Sequence, residues 1–387
     1  MSTDHKIGIV GAGAMGSGIA QVAATAGHDV VIMDKNEAAI TRSKKSIGDS
    51  LQKFESKGKL KESANSITGR IEYIENISDF NSCQLVIEAV IEDLGVKKSI
   101  FDELEKYVNK DCVLASNTSS LSIASIARDS KFPERIIGIH FFNPAVLMPL
   151  VEVVPSISTS LNVVSKVFEI LSHWNKELVT AKDTPGFIVN RVARPFYGES
   201  LRIFEEGIAS FGQIDAAMRS VGFKMGPFEL MDYIGHDVNY KVTETVWEQM
   251  FFDPRYKPSL VQKRLYESGF YGRKSGRGYY LYEDGKKISE KFELSDELTE
   301  EIYERVLAML INEAAEALYY QIASAKDIDL SMTKGVNYPK GLLMWADEWG
   351  IEKVLNVLNE LYQKYCEERY RPSLLLRKMN EENKSFY

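Results

Sequence analysis

The sequence has little cysteine and no long hydrophobic run, and both absences limit the kinds of protein that it can encode. Its 387 residues include three cysteines, Cys83, Cys112 and Cys366, which form no CxxC motif and no Cys/His cluster. An odd, scattered set of cysteines suits a reducing compartment and offers no ligands for a structural zinc, so we expect no metal site. No window approaches 18 uninterrupted apolar residues, and the N-terminus lacks the pattern of a signal peptide. We therefore expect a soluble, cytoplasmic protein.

The sequence also has fewer basic residues than acidic residues. Lysine and arginine number 47 against 55 aspartates and glutamates, which gives a formal net charge of −8. This balance argues against broad binding to nucleic acid or to an anionic membrane. The hydrophobic share of 44% and the charged share of 26% are typical of globular proteins. At about 150 residues per domain, the length predicts two or three folded units.

The N-terminal part of the chain has the pattern of a dinucleotide-binding unit. An apolar run at 6–10 predicts a strand, and the motif G-A-G-A-M-G at 11–16 follows it directly. A helical pattern over Met15–Ala26 leads to a second predicted strand at 28–33, which ends on Asp34. Strand, Gly-x-Gly-x-x-Gly, helix, strand and acid in this order predict a Rossmann-type fold.

Each residue of the glycine motif has a physical role in binding a dinucleotide. Gly11 permits a tight turn, Gly13 lets the backbone approach a pyrophosphate, and Gly16 lets the helix pack closely on the strand. The helix N-terminus offers N–H groups and a partial positive charge to the phosphates. We therefore predict cofactor contacts from the whole loop, including Ala14 and Met15.

Asp34 indicates which dinucleotide is bound. A carboxylate at the end of the second strand accepts hydrogen bonds from the adenosine ribose and repels a 2′-phosphate, which favours NAD over NADP. The neighbouring Lys35 weakens that preference. Alternating strands and helices continue downstream and predict a doubly wound sheet. The predicted elements are strands at 85–91, 113–116 and 136–141 and a helix at 97–107.

Polar residues fall at the carboxyl ends of these strands, where such sheets bind ligands. His140, in G-I-H-F-F-N-P, could take a proton from a substrate hydroxyl. Glu152, on the next strand, could hold the imidazole in one tautomer and stabilise its charged form. The alternative is a strand-end histidine beside a surface glutamate.

Ser119 and Asn143 each fit more than one role. Ser119 follows a buried strand and could hold a substrate oxygen, but it could equally be the N-cap of the next helix. Asn143 precedes a proline and could be a simple turn residue.

Five motifs together resemble the 3-hydroxyacyl-CoA dehydrogenase family, which includes 3-hydroxybutyryl-CoA dehydrogenases. They are G-A-G-A-M-G-S-G-I-A, A-S-N-T-S-S-L, G-I-H-F-F-N-P, L-V-E-V and D-T-P-G-F-I-V-N-R, in this order over about residues 5–282. The resemblance implies that His140 is the catalytic base and Glu152 its partner. It also implies that Ser119 contacts substrate and cofactor and that Asn190 orients the substrate.

The resemblance further implies residues that bind the cofactor and coenzyme A. The matching cofactor contacts are Glu92, Lys97, Asn143 and Lys274. Ser50 and Lys57, on the helix after Asp34, match residues that meet coenzyme A. That segment could equally be a solvated helix face.

The implied reaction is the NAD-dependent interconversion of (S)-3-hydroxyacyl-CoA and 3-oxoacyl-CoA. A short acyl chain such as 3-hydroxybutyryl is expected, in fatty acid or butyrate-type metabolism. Two alternatives stay open: a dehydrogenase of a free hydroxy acid such as gulonate, and a catalytically silent NAD-binding protein.

From the D-T-P-G segment at 183–186 the pattern changes to long amphipathic helices. We expect an NAD-binding domain at 1–184, a helical domain at 185–282, and a connector with a second, degenerate helical copy at 283–387. Ile214-Asp215 recurs as Ile328-Asp329, and the segment 255–260 recurs as 369–374. The second copy has Glu304 where the first has Asn190, so it is not expected to be a second active site.

The duplication suggests an oligomeric state. In two-domain members of the family the helical domain dimerises, so a second copy in the same chain could replace the partner subunit. We expect a monomer with an intramolecular pseudo-dimer, with a homodimer as the alternative. A separate use of the second copy as a docking surface is also open.

Overall fold

The computed structural model describes residues 5–288 and 292–387, so that residues 289–291 of the connector lie outside it. The chain divides into two units, and the division falls between Thr184 and Pro185, within the D-T-P-G segment. None of the helices in the described part of the chain has the length and apolar character needed to cross a membrane.

The first unit is built on an eight-stranded sheet with the order β3-β2-β1-β4-β5-β6-β7-β8. Its strands are β1 Ile7–Val10, β2 Val30–Met33, β3 Ile71–Ile74, β4 Leu85–Glu88, β5 Val113–Ser116, β6 Ile136–Phe141, β7 Leu150–Pro155 and β8 Glu177–Thr180. The helices between them are α1 Ala14–Thr25, α2 Glu37–Glu55, α3 Ala64–Thr68, α4 Leu94–Leu104, α5 Ile123–Ala127 and α6 Leu161–Leu171. The sheet is of the Rossmann type that the glycine motif predicts.

Strand β1 lies at the centre of the ligand-binding edge. It pairs in parallel with β2 on one side and with β4 on the other, so the direction of winding reverses between β1 and β4. All four residues of β1 are buried, as are all four of β4 and of β5, which accounts for their continuous apolar runs. A sheet of this topology binds ligands at the carboxyl ends of the strands that flank the reversal.

The direction of the sheet changes near its other edge. Strand β7 runs antiparallel to β6, and β8 runs parallel to β7. In the β6–β7 register His140 lies directly opposite Glu152. Directly opposite residues on antiparallel strands have their side chains on the same face, so this pairing brings the two predicted catalytic residues together.

Several predicted boundaries in this unit are wrong by one to three residues, and two of these differences have a visible cause. The strand predicted at 85–91 ends at Glu88, whose carboxylate accepts a hydrogen bond from the Val90 N–H. The helix predicted at 97–107 is α4, which begins at Leu94 because the Asp93 side chain caps it through the Val96 N–H. Both differences arise from side-chain bonds to the backbone, which apolar periodicity does not report.

The second unit is helical. Its helices are α7 Val189–Val192, α8 Arg194–Glu205, α9 Phe211–Ser220, α10 Pro227–Ile234, α11 His236–Gln249, α12 Leu260–Glu267, α13 Asp296–Tyr319, α14 Ala325–Gly335, α15 Leu342–Trp349, α16 Ile351–Tyr365 and α17 Leu374–Glu381, with a short hairpin of β9 Tyr282–Glu283 and β10 Lys286–Lys287. We refer to residues 185–282 as the first half of this unit and to residues 283–387 as its second half. The buried helix α13 packs against α8 and α9 of the first half and against α15, α16 and α17 of the second.

The same capping device occurs in both halves of this unit. The Asp215 carboxylate accepts the backbone N–H groups of Phe228 and Glu229 at the start of α10, at 2.8 and 3.0 Å. Asp329 accepts the equivalent N–H groups at the start of α15, at 2.8 and 2.9 Å. A tyrosine hydroxyl donates to each aspartate, from Tyr280 in the first half and Tyr387 in the second.

The two halves also exchange equivalent ion pairs. Arg191 Nε lies 2.7 Å from Glu313 Oε1, and Arg305 Nε lies 2.5 Å from Glu199 Oε1. In the predicted repeat, Arg191 corresponds to Arg305 and Glu199 to Glu313. Reciprocal contact, in which residue i meets residue j and their equivalents meet in return, is the property of a twofold interface.

Candidate active site

The glycine loop after β1 has the geometry of a phosphate cradle. Gly11 has φ +109°, and a Cβ there would lie 2.6 Å from the Ala89 carbonyl oxygen. A Cβ on Gly16 would lie 1.9 Å from the Gly11 carbonyl oxygen, so only glycine lets α1 start this close to β1. A Cβ on Gly13 would meet nothing within 4 Å, which leaves open space beside the N-terminus of α1. The residues present therefore fit a dinucleotide pyrophosphate.

Asp34 stands at the end of β2 next to this loop. Its Oδ2 accepts the Ala12 N–H at 2.7 Å, and its Oδ1 accepts the Asn36 N–H at 2.8 Å. These bonds fix the carboxylate beside the glycine motif, where a Rossmann-type domain holds the adenosine ribose. Ala14 and Met15, in the first turn of α1, lie on the same edge.

His140 and Glu152 form a buried pair. His140 Nδ1 lies 2.7 Å from Glu152 Oε2, and the two side chains are 7% and 0% exposed. The Phe142 ring packs on the imidazole with a centroid separation of 4.5 Å. A carboxylate at Nδ1 fixes the ring orientation and stabilises an imidazolium, as in other histidine–carboxylate pairs. The alternative of a strand-end histidine beside a surface glutamate is wrong, because Glu152 is fully buried.

Glu92 organises the loop that carries Ser119. Its Oε1 accepts hydrogen bonds from the backbone N–H groups of Ser119 and Ser120 and from the Thr118 hydroxyl. Partial burial would by itself raise the pKa of Glu92. The charge of Lys97 and these hydrogen bonds outweigh it, and the pKa lies below its usual value. Glu92 therefore stays charged and holds the Ser119 loop in place.

Ser119 is not a helix N-cap. That role belongs to Ser122, whose hydroxyl accepts the Ser125 N–H at the start of α5. The loop after β5 is also fastened to β6, since Asn117 Oδ1 accepts the Phe141 N–H at 2.8 Å. Ser119 is thus left in a loop at the carboxyl edge of the sheet, near His140 in the strand order.

Lys97 has a buried position that its predicted role does not explain. Its side chain is 1% exposed, and Nζ lies 2.7 Å from Glu88 Oε1 and 3.3 Å from Glu92 Oε2. The second Glu88 oxygen accepts the Ser116 hydroxyl at 2.7 Å. Lys97 thus supports Glu92 from beneath the loop. Sequence reasoning missed Glu88, although a charged residue inside the apolar strand L-V-I-E is a signal that could have found it.

Three other residues of the first unit are predicted to contact the cofactor or coenzyme A, and they lie in different local structures. Asn143 forms a cis peptide bond with Pro144, directly after β6. Ser50 is half-buried on α2. The placement of Lys57 on that helix is wrong, because α2 ends at Glu55 and Lys57 lies in the exposed turn that follows. Its role toward coenzyme A stays a prediction.

Asn190 and Lys274 belong to the second unit. Asn190 is half-buried on the short helix α7. Lys274 is exposed in a 3₁₀ turn, with Nζ 2.5 Å from Asp237 Oδ1 on α11. Their predicted roles toward substrate and cofactor stay predictions.

The mostly parallel sheet, the glycine cradle and the carboxylate at the end of β2 define an NAD-binding domain of a dehydrogenase. The chain belongs to the 3-hydroxyacyl-CoA dehydrogenase family. The model of its NAD binding domain matches residues 6–184, and the model of its C-terminal domain matches residues 186–282 and 302–385. The cofactor of this domain is NAD, and the chain is an oxidoreductase.

Individual relatives agree with this placement. The chain is similar to a 3-hydroxyadipyl-CoA dehydrogenase of Escherichia coli K12, with 37% identity over 96% of this chain and 97% of the relative. It is 40% identical to a probable 3-hydroxybutyryl-CoA dehydrogenase of Deinococcus radiodurans, over 72% of this chain and 100% of the relative. The crystal structure of a 3-hydroxybutyryl-CoA dehydrogenase from E. coli K12 superposes with a TM-score of 0.91 at 35% identity, covering 97% of this chain and 98% of that one.

Proposed function

We propose that the chain interconverts (S)-3-hydroxyacyl-CoA and 3-oxoacyl-CoA of short chain length, with His140 as the acid–base group. The observation that carries this proposal is the buried His140–Glu152 pair at the carboxyl edge of an NAD-binding sheet. Bound NAD supplies the hydride acceptor for the substrate carbon that carries the hydroxyl.

The protein's own part is to move the hydroxyl proton. With Nδ1 hydrogen-bonded to Glu152, proton exchange with the substrate falls to Nε2 of His140. The Glu152 carboxylate lowers the free energy of the imidazolium that results. Ser119 is proposed to hold the substrate oxygen by its hydroxyl, in the loop that Glu92 fastens. Asn190 is proposed to orient the substrate by its carboxamide.

The direct test is the consumption of NADH with acetoacetyl-CoA, followed by absorbance. Steady turnover that depends on both reactants is the expected result. Absence of turnover with this and longer 3-oxoacyl thioesters, in protein that still binds NADH, would favour the catalytically silent alternative instead.

The free hydroxy acid alternative is tested in the same way. Gulonate lacks the coenzyme A moiety that Ser50 and Lys57 are proposed to contact. We expect NAD reduction with 3-hydroxybutyryl-CoA to exceed that with gulonate by orders of magnitude in kcat/KM. The opposite order would replace the thioester by a free acid as the substrate.

We also propose that the helical unit is an internal duplication whose copies form a pseudo-dimer, so that the enzyme is a monomer. The reciprocal pairs Arg191–Glu313 and Arg305–Glu199 support this proposal, as do the equivalent caps by Asp215 and Asp329. The match of the C-terminal-domain model to residues 186–282 and 302–385 agrees with it. Sedimentation equilibrium of the full chain is expected to give the mass of one chain. A tight dimer at low concentration would contradict the monomer.

A further inference from the structure

Arg194, the first residue of α8, is a buried cation without a counterion in the described part of the chain. The residue is 6% exposed. Its Nη1 donates to the Thr243 hydroxyl at 3.0 Å, and its guanidinium stacks over the Tyr197 ring at 5.0 Å. Its Nε has no hydrogen-bond partner within residues 5–288 and 292–387. A buried charge of this kind is costly unless an anion accompanies it.

The other buried arginines of the described residues do not share this feature. Four of them have a carboxylate oxygen within 4.0 Å: Arg135 with Glu105, Arg191 with Glu313, and Arg305 and Arg369 with Glu199. Arg194 is the exception, and burial lowers its pKa with only the hydroxyls of Tyr197 and Tyr338 acting against the shift. Arginine nevertheless keeps its proton in proteins, so the positive charge remains.

Arg194 is also not required by the duplicated scaffold. The reciprocal ion pairs have equivalents in both copies, whereas the position equivalent to Arg194 in the second copy is Ala308, which is buried on α13. The duplication therefore does not explain an arginine here.

A second unsatisfied polar group belongs to the same cluster. The Tyr338 hydroxyl is buried and has no hydrogen-bond partner among the described residues, and its ring packs on Phe196 and Phe223 at 5.6 and 4.9 Å. Burial raises the pKa of Tyr338 well above its usual value, Tyr197 raises it further, and the Arg194 charge lowers it. The Tyr338 hydroxyl and the Arg194 Nε–H are thus two unsatisfied donors within one cluster of aromatic side chains. Tyr338 belongs to the second copy of the proposed duplication.

The position of Arg194 relates this cluster to the substrate. Arg194 follows Asn190 by four residues, and Ala193 between the two helices keeps helical dihedrals. Residues four apart on helical backbone share a face, with Cβ atoms about 5–6 Å apart. Asn190 is proposed to orient the substrate, so a group only a few bonds beyond the reacting carbon comes within reach of Arg194.

We propose that Arg194, assisted by the Tyr338 hydroxyl, binds a carboxylate at the far end of the acyl chain, so that the preferred substrates are 3-hydroxyacyl-CoA thioesters of dicarboxylic acids. This inference rests on the proposed function. A planar carboxylate matches the donor fork of a guanidinium. The aromatic enclosure excludes water, which strengthens that pairing and leaves an arginine unpaired when the acyl chain ends in a methyl group.

The test compares two thioesters of equal length that differ at the chain end. 3-Oxoadipyl-CoA ends in a carboxylate and 3-oxohexanoyl-CoA ends in a methyl group. The ratio of their kcat/KM values in NADH-dependent reduction is expected to favour oxoadipyl-CoA on the order of ten- to a hundredfold. Arg194→Leu is expected to abolish most of that ratio, and Tyr338→Phe to lower it by a smaller factor.

Arg264→Leu is the matched control, because Arg264 lies exposed on α12 with Glu267 as its partner. It is expected to leave the ratio as in the wild type. Binding of the unreactive pair adipyl-CoA and hexanoyl-CoA, measured by calorimetry, is expected to show the same preference and the same loss in Arg194→Leu.

Several results would overturn the inference. One is a wild-type ratio near or below one. Another is an Arg194→Leu protein that loses activity equally on both thioesters, which would place the charge at a group they share, such as a coenzyme A phosphate. If Arg194→Leu does not fold, the wild-type ratio and Tyr338→Phe decide. Failure of the proposed function is distinct, since the wild type would then reduce neither thioester nor acetoacetyl-CoA.

Discussion

At the scale of single residues, the site is a set of charges whose partners lie on neighbouring strands and loops. His140 owes its geometry to one register position opposite Glu152. Ser119 owes its position to Glu92, and Glu92 in turn has Lys97 and Glu88 behind it. The positions of His140 and Ser119 thus depend on charged side chains that are partly or fully buried.

Replacing His140 by glutamine tests the acid–base role. Glutamine keeps a polar side chain of similar reach but cannot accept and return a proton, so kcat is expected to fall by about a hundredfold or more. The Kd for NADH, measured by fluorescence, is expected to change little. The control is His173→Gln at an exposed histidine of the same unit. Unchanged turnover in His140→Gln would sink the proposed mechanism.

The Glu88–Lys97 pair predicts a large difference between adjacent lysines. Lys97→Met leaves a carboxylate buried without its cation, which costs about 3–5 kcal/mol of unfolding free energy. Lys98→Met removes only a surface pair with Asp129 and is expected to cost about 1 kcal/mol or less. Urea denaturation of both variants checks the difference. Equal costs would mean that the buried pair is not a support for the loop.

At the scale of elements, the turn between β1 and α1 separates two uses of glycine. Gly11 and Gly16 are required by the fold, since a Cβ on either would strike backbone atoms. Gly13 has φ −71° and open space around it, so the fold does not require it. The absence of a side chain at Gly13 has a reason only if another molecule approaches the loop there.

Gly13→Ala is therefore expected to fold normally and to bind NADH at least tenfold more weakly. The added methyl group stands where the pyrophosphate approaches the helix N-terminus. The control is Gly48→Ala on α2, where a Cβ also meets nothing within 4 Å. Thermal unfolding and NADH titration measure the two effects. Wild-type affinity for NADH in Gly13→Ala would show that the cofactor phosphates do not bind at this loop.

The same elements indicate what the sequence could predict. The strands at 113–116 and 136–141 are predicted to the residue, because a strand buried on both faces consists mainly of apolar residues. The start of α4 and the end of α2 are missed, because caps and turns decide them. The sequence does not predict a role for Arg194. That role is inferred from the absence of a carboxylate near its guanidinium among the described residues, which the neighbouring residues along the chain do not indicate.

At the scale of the whole molecule, the reciprocal ion pairs of the helical unit predict the cost of removing each carboxylate. Glu313→Ala leaves Arg191 buried without its carboxylate, whereas Glu199→Ala leaves Arg305 with Glu206, whose Oε2 lies 3.0 Å from Arg305 Nη1. We expect Glu313→Ala to cost about 3–5 kcal/mol of unfolding free energy and Glu199→Ala to cost less. Urea denaturation measures both costs, with the surface variant Glu244→Ala as control. A larger cost for Glu199→Ala than for Glu313→Ala would contradict this ranking.

The covalent connection between the reciprocal ion pairs has a thermodynamic consequence. In an obligate dimer the folded state is lost on dilution, because its stability includes a bimolecular term. Here both sides of the interface belong to one polypeptide, so their encounter is a unimolecular event at a high effective concentration. The melting temperature should therefore be independent of protein concentration. Under the proposed duplication, each side is also free to differ in sequence from the other, as Glu304 differs from its counterpart Asn190.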